Sequence, residues 1–363
     1  MKERIIKLSS IVLCIAIIIA NVSVIASAKT EYTVSYCSTG VVKNPVYEDL
    51  DIHVFPNDLS EPKTYRSSSQ DGYFDVKLCT DRVEEVISEI RGNMVNRVTE
   101  VEIYYKDEEI YNNEESIKNL INGWLELALA ETENPDEGDY LRYVYGGYVA
   151  GIRTHGWEGR PERFHRITIT FSYYTTRAEE NRLDARIDEV VDDFGFTDET
   201  SVKERSDAIY SFITENVTYD HEHLGNNDYK HQFTAYAALM DGTAVCQGYA
   251  TLLYRLAREC GLNVRVIAGK SHGEGHAWNI VEIYNNVYYY VDSTWDEGGK
   301  TNYYLKGTSN FAREHTPDPQ FLTSEFMEKL HLEGAWICLL IRLVRLQLWE
   351  YSTLYLWLLL QEQ

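Results

Sequence analysis

An α+β fold is predicted from two features of the sequence. In the first half, short runs rich in β-branched and aromatic residues mix with stretches whose apolar residues repeat at helical spacing. In the second half, an amphipathic segment beginning at Cys246 precedes two strand-like runs, residues 276–283 and 287–292, joined through asparagines.

The elements follow in order. Lys2, Arg4 and Lys7 precede an apolar run over residues 8–20, and Ala26-Ser27-Ala28 has the small-residue form of a cleavage site. Residues 1–28 therefore read as a secretory signal, with the mature chain starting near Lys29. About 335 residues remain, enough for two modest domains. Residues 29–80 contain turn formers between short β-like runs and read as a loosely structured or β-rich leader.

Residues 81–198 read as an α+β region. The expected elements are a short helix over 82–91, a strand over 97–105 and a helix over 114–131. Strands over 140–153 and 164–174 and a helix over 178–194 follow. A further helix over 202–215 opens the next unit, residues 199–330. Residues 331–363 are rich in Leu, Trp, Ile and Tyr, with Arg342 and Arg345 interrupting the long apolar run. They read as an atypical, non-native tail or a membrane-surface helix, not a spanning one.

The net charge of −23 argues against a nucleic-acid or anionic-membrane partner, which needs clustered Lys and Arg. Five cysteines survive signal removal: Cys37, Cys79, Cys246, Cys260 and Cys338. An odd count at irregular spacing is no disulfide framework, although Cys37 and Cys79 could pair in an exported protein. No C-x-x-C pair suggests zinc, and no acidic loop has calcium-ligand spacing. No cofactor is expected. His221 and His223 read as loop residues, and two glycines separate His272 from His276.

The chemistry concentrates in residues 241–297. Tyr249, Leu252, Leu253, Leu256 and Ala257 repeat at helical spacing after Cys246, with Gly261 as a stop. Cys246 thus falls in the first helical turn, where the helix dipole favours the thiolate, the nucleophilic form. Taken alone, Cys246 could instead be a small buried hydrophobe, the commonest fate of a free cysteine; Cys260, on the same apolar stripe, is assigned that role.

A cysteine nucleophile needs an imidazole to move its proton, and the imidazole needs a carboxylate to orient it. His276 and Asp292 lie at the outer ends of the two strands. They share a face only if Trp278 lies opposite Asp292, which requires a three-residue loop or a bulge of equal effect.

AVCQGYA, GHAWN and YYVDSTWD, in that order, are similar to the transglutaminase-like superfamily, over residues 200–326. The resemblance implies a papain-like core, with a nucleophile helix packed on an antiparallel sheet. It implies Cys246 as nucleophile, His276 as general base and acid, and Asp292 as orienter. Trp278 resembles a substrate-side wall residue, and Asp296 a structural one. The implied activity is attack on amide bonds through a Cys thioester, as a peptidase or amidase or in protein cross-linking. Protein or peptide substrates are expected, outside the cell or at the cell wall. An inactive binding module of the cell surface is the alternative.

Overall fold

The computed structural model describes residues 32–44, 74–226, 229–284, 286–322 and 324–330. The expected signal (1–28) and apolar tail (331–363), with Cys14 and Cys338, lie outside the described residues, as does most of the leader.

The first sheet is built from β1 (Tyr32–Ser38), β2 (Val42–Lys43), β3 (Glu100–Asp107), β4 (Tyr145–Trp157) and β5 (Arg163–Tyr173). Its order is β1-β4-β5-β3, with β2 also on β4. Alternation along β3 turns Val101, Ile103 and Tyr105 inward, and β5 adds Ile167, Ile169 and Phe171. Two helices cover part of this sheet. In α1 (Val83–Val95), Val86, Ile90 and Met94 repeat every four residues on the buried face. In α2 (Glu114–Ala128), Asn113 caps the first turn, and Trp124 meets Tyr105 edge-on at 5.1 Å.

Two expectations are corrected here and one open possibility is settled. The helix expected at 82–91 continues to Val95. The strand expected over 140–153 begins only at Tyr145, because Asp139–Val144 form the short helix α3. Its aromatic run has strand propensity, but long-range partners fix the turn: the Asp139 carboxylate accepts from Val266 N and the Arg265 guanidinium, each at 2.8 Å. Finally, Cys37 and Cys79 are both free thiols. Cys37 lies on β1 and Cys79 beside β3, at opposite edges of the sheet. Three strand spacings, about 14 Å, exceed the reach of a disulfide.

Helices α4 (Arg177–Phe194) and α5 (Val202–Asn216) each open with a complete capping box, Thr176 with Glu179 and Ser201 with Glu204. Two short strands, β6 (Thr218–Tyr219) and β7 (Thr243–Ala244), pair in parallel just before α6 (Cys246–Glu259). The second sheet then follows: β8 (Val264–Ser271), β9 (Glu274–Tyr284), β10 (Val287–Val291) and β11 (His315–Pro317), in antiparallel order β10-β9-β8-β11. The fold is thus α+β, with α6 packed on an antiparallel sheet.

Helix α6 is buried on every side from Gln247 to Ala257, so its polar groups need partners. Three of them find one in the first region of the chain. Gln247 Nε2 donates to Tyr143 O at 2.9 Å, Arg255 pairs with Asp184 at 2.8 Å, and Tyr254 Oη donates to Glu131 at 2.8 Å. The Arg255 guanidinium also lies 4.5 Å over the Tyr140 ring. One hydrophobic core runs through both regions. Among the described residues no helix is long and apolar enough to cross a membrane.

Candidate active site

Cys246 is the first residue of α6, after the extended N-cap Val245. Two features bring the helix start close to the chain before it. Val245 N donates to Gln232 O at 2.9 Å. Gly248 leaves room where a Cβ would sit 2.5 Å from Ala244 Cβ and 2.9 Å from Thr234 O. The half-buried Cys246 therefore sits where backbone N–H groups have no preceding helical turn to bond.

The hairpin supplies the other two groups. Val287 lies opposite Tyr284, and a bulge between Val287 and Tyr288 shifts the register. From Tyr288 onward it is the register required by the sequence argument: Val291 lies opposite Asn279, which brings Asp292 beside Trp278. Asn279 also ties this strand to the nucleophile helix, donating from Nδ2 to Ala250 O at 2.9 Å.

His276 Nε2 bonds Asp292 Oδ2 at 2.7 Å. The Cys246 sulfur acts on the charge of the same imidazole. Because Nε2 is committed to Asp292, Nδ1 is the nitrogen left for sulfur. Burial disfavours the imidazolium, but the Asp292 charge, the Asp292 hydrogen bond and the Cys246 thiol outweigh it and push the His276 pKa up to about 10. Burial likewise disfavours the Asp292 carboxylate. The charge and hydrogen bond of His276, with a hydrogen bond from His315, hold its pKa at about 2.

Asp292 is fully engaged. Oδ1 accepts from Thr294 N at 3.0 Å and Trp295 N at 3.3 Å, an Asx turn that aims the other oxygen. Oδ2 accepts from His276 and also from His315 Nε2, at 2.9 Å. Asp296 takes a structural place, accepting from Tyr210 Oη, Asn302 N and Tyr303 N at 2.7–2.8 Å.

Trp278, expected on the substrate-side wall, is buried. It is 1 % exposed, with its ring 5.8 Å from His276 and 5.1 Å from His315, so it backs the imidazoles instead of lining an open wall. Its place at the surface is taken by the half-buried Trp295, whose ring lies 5.6 Å from His276 and stacks on His272 at 5.3 Å. Trp295 was not among the sequence candidates.

His315 was also missed. It lies 23 residues beyond Asp292 on a three-residue strand. Its one local signal is a Thr-Pro step that favours extended backbone. His276, Asp292 and His315 present ligand atoms within 4.8 Å of one another, a set that could hold a metal ion. Their N···O separations of 2.7 and 2.9 Å are those of hydrogen bonds, with protons where a metal would have to sit.

Comparisons with known proteins find the following similarities. Residues 190–293 match the family model of the transglutaminase-like superfamily. Mouse kyphoscoliosis peptidase is 29 % identical over 139 residues, 32 % of this chain and 21 % of the peptidase. The human kyphoscoliosis peptidase is 26 % identical over 181 residues, 43 % of this chain and 26 % of the peptidase. The chain thus spans about a quarter of the length of these relatives. A solved structure titled as a TGase covers 58 % of this chain and 55 % of its own, at 15 % identity and a TM-score of 0.30.

Proposed function

With a transglutaminase-like domain over residues 190–293 as the starting point, we propose that the protein is an exported cysteine enzyme that acts on amide bonds of proteins or peptides. The observation that carries this reading is the convergence of the Cys246 thiol, the His276 ring and the Asp292 carboxylate across three separate elements.

The chemistry runs as acyl transfer. The Cys246 thiolate adds to the amide carbonyl, forming the C–S bond and a tetrahedral oxyanion. The backbone N–H of Cys246, at the positive end of α6, is placed to stabilise that oxyanion. As the C–N bond breaks, His276 Nδ1–H gives its proton to the leaving amine, and a thioester remains. His276 then takes a proton from water or from an acceptor amine, whose attack restores the thiol. Asp292 holds the ring so that Nδ1 faces the sulfur throughout.

Hydrolysis is favoured over cross-linking as the main outcome, consistent with peptidases among the similar proteins. Secretion rests on the signal-like segment 1–28, and action at the cell surface or cell wall follows from it. The test is incubation of the wild-type protein and Cys246→Ala with glutamine-containing peptides and a labelled amine. Free carboxylate or cleaved peptide identifies a hydrolase, and incorporated amine a transferase. Equal signals from the two proteins would leave the binding-module alternative.

A further inference from the structure

His315 is a second histidine on the carboxylate that the site requires. It comes from β11, which pairs with β8 through His315 opposite Ser271 and Pro317 opposite Gly269. The close approach of β11 is built into the sequence at Gly269. A Cβ there would lie 2.2 Å from Thr316 O and 2.7 Å from the Trp278 ring. Gly269 is also opposite His276, so one glycine lets both histidines approach the same carboxylate.

The His315 ring is enclosed by aromatics. It stacks on Phe311 at 3.8 Å and lies 4.6 Å from Trp295 and 5.1 Å from Trp278. The residue is 1 % exposed. Nε2 meets Asp292 Oδ2 at 2.9 Å, while Nδ1 has no protein partner among the described residues. The ring therefore carries its proton on Nε2, where an acceptor waits. A buried histidine held this way has one hydrogen bond, and that bond ends on the oxygen that also receives His276.

We propose that His315 is a positioning residue for the Cys246–His276–Asp292 site, giving Asp292 Oδ2 a second N–H donor that fixes this oxygen and shares its charge. The inference rests on the proposed acyl-transfer role of the site. Two consequences follow. The carboxylate stays in the rotamer that holds His276 Nδ1 toward sulfur. Its pull on the His276 proton is also moderated, so that the imidazolium remains acidic enough to protonate a leaving amine.

Several charged and titratable groups face this carboxylate and its two rings, including Tyr210, whose Oη donates to Asp292 O at 2.8 Å. Cys246 acts on His276 from α6, and burial, with the charges of Cys246 and Asp292, raises the pKa of Tyr219 on β6. On the far side, Tyr303 lies 5.9 Å from His315 and donates to Glu314, while His272 reaches His276 only through Trp295. Asp296 is turned away onto Tyr210 and backbone amides.

The experiment compares wild type, His315→Phe and His315→Gln in the full chain. Phe fills the aromatic box without a donor, and Gln retains an N–H. Each is followed by the pH profile of Cys246 alkylation with iodoacetamide, by kcat on a glutamine peptide, and by thermal unfolding. Without the second donor, Asp292 pulls harder on His276. The alkaline limb of the alkylation profile in His315→Phe should then move up by about half a pH unit or more. Its kcat should fall about tenfold or more, with recovery of at least part of both effects in His315→Gln. A folded His315→Phe with an unmoved alkaline limb overturns the proposal, as does a loss of kcat that tracks thermal stability alone and is not rescued by Gln. Alkylation needs no turnover, so a protein inactive on every peptide still tests His315. Failure of the enzyme reading shows separately, as wild type and Cys246→Ala giving equal product.

Discussion

Each of the two larger sheets carries a buried carboxylate bonded by histidine, Asp107 in the first and Asp292 in the second, and the two are arranged differently. In the first sheet His165 Nε2 bonds Asp107 at 2.9 Å, and Nδ1 bonds Thr154 Oγ1 at the same distance. Tyr111 Oη also donates to Asp107, and the His165 ring is wholly buried. Both ring nitrogens are committed, so no proton can be passed on. A thiol is near here too, but Cys79 Sγ addresses the His165 carbonyl oxygen at 3.9 Å, and burial pushes that thiol up to about 11. In the second sheet His276 has one nitrogen on Asp292, at 2.7 Å, and the thiol at a helix start on its other side. The pair is a structural clamp in the first sheet and, in the proposed function, a proton relay in the second; what distinguishes them is the nitrogen left over.

The largest expected contrast comes from removing each carboxylate. Asp292→Asn should lower kcat by about 10²- to 10⁴-fold, because the ring loses its orienting acceptor. Asp107→Asn should leave kcat unchanged while costing roughly 1–3 kcal/mol of stability, read by urea unfolding. Equal activity losses in the two variants would erase the distinction.

Thiol reactivity gives the next contrast. Brief iodoacetamide treatment at neutral pH should label Cys246 on the order of 100-fold faster than Cys79 or Cys260, as read by peptide mass mapping. Burial pushes both of the latter up to about 11. Uniform labelling of the three would contradict the assignment.

Trp278→Ala should cost about 3–5 kcal/mol, the range for a large side chain removed from a packed core. It should also lower activity through the two imidazoles it backs. A variant with native stability and only a raised KM would return Trp278 to the substrate side.

The smallest effect is on stability against pH. The His276 pKa is raised from 6.5 to about 10, so its contribution is full below pH 6.5 and is lost as pH rises through about 10. The Asp292 pKa is lowered from 3.8 to about 2, so its contribution is present above pH 3.8 and is lost as pH falls through about 2. Burial opposes the Asp107 charge, but hydrogen bonds from His165 and Tyr111 outweigh it and lower the Asp107 pKa, which adds to the acid limb. Asp292→Asn should therefore flatten the alkaline limb, and Asp107→Asn only the acid one, in chemical denaturation at stepped pH.

Much of this site was legible in the sequence because its signals are local. The 3.6-residue repeat after Cys246 placed the helix start, and strand alternation reduced the His276–Asp292 question to one of register. The position of the bulge, between Val287 and Tyr288, was not legible, since either turn length fits an Asn-Asn loop. Segments fixed by distant partners were misread or missed. Asp139–Val144 is helical because of Arg265 and Val266, more than 120 residues away. Trp278 looks like a wall from its motif, but its burial depends on Phe311 and β11. His315 belongs to a strand too short for any periodicity, and Gly269 shows its purpose only once Thr316 lies against it.

The central claim is that Cys246 forms a covalent acyl intermediate with help from His276 and Asp292. Its most direct test is rapid acid quenching of the enzyme during turnover of a glutamine peptide, followed by intact-mass and peptide mapping. An acyl adduct on Cys246 is expected in wild type and Asp107→Asn, with a much smaller yield in Asp292→Asn. An adduct on another residue, or product formation with Cys246→Ala, would contradict it.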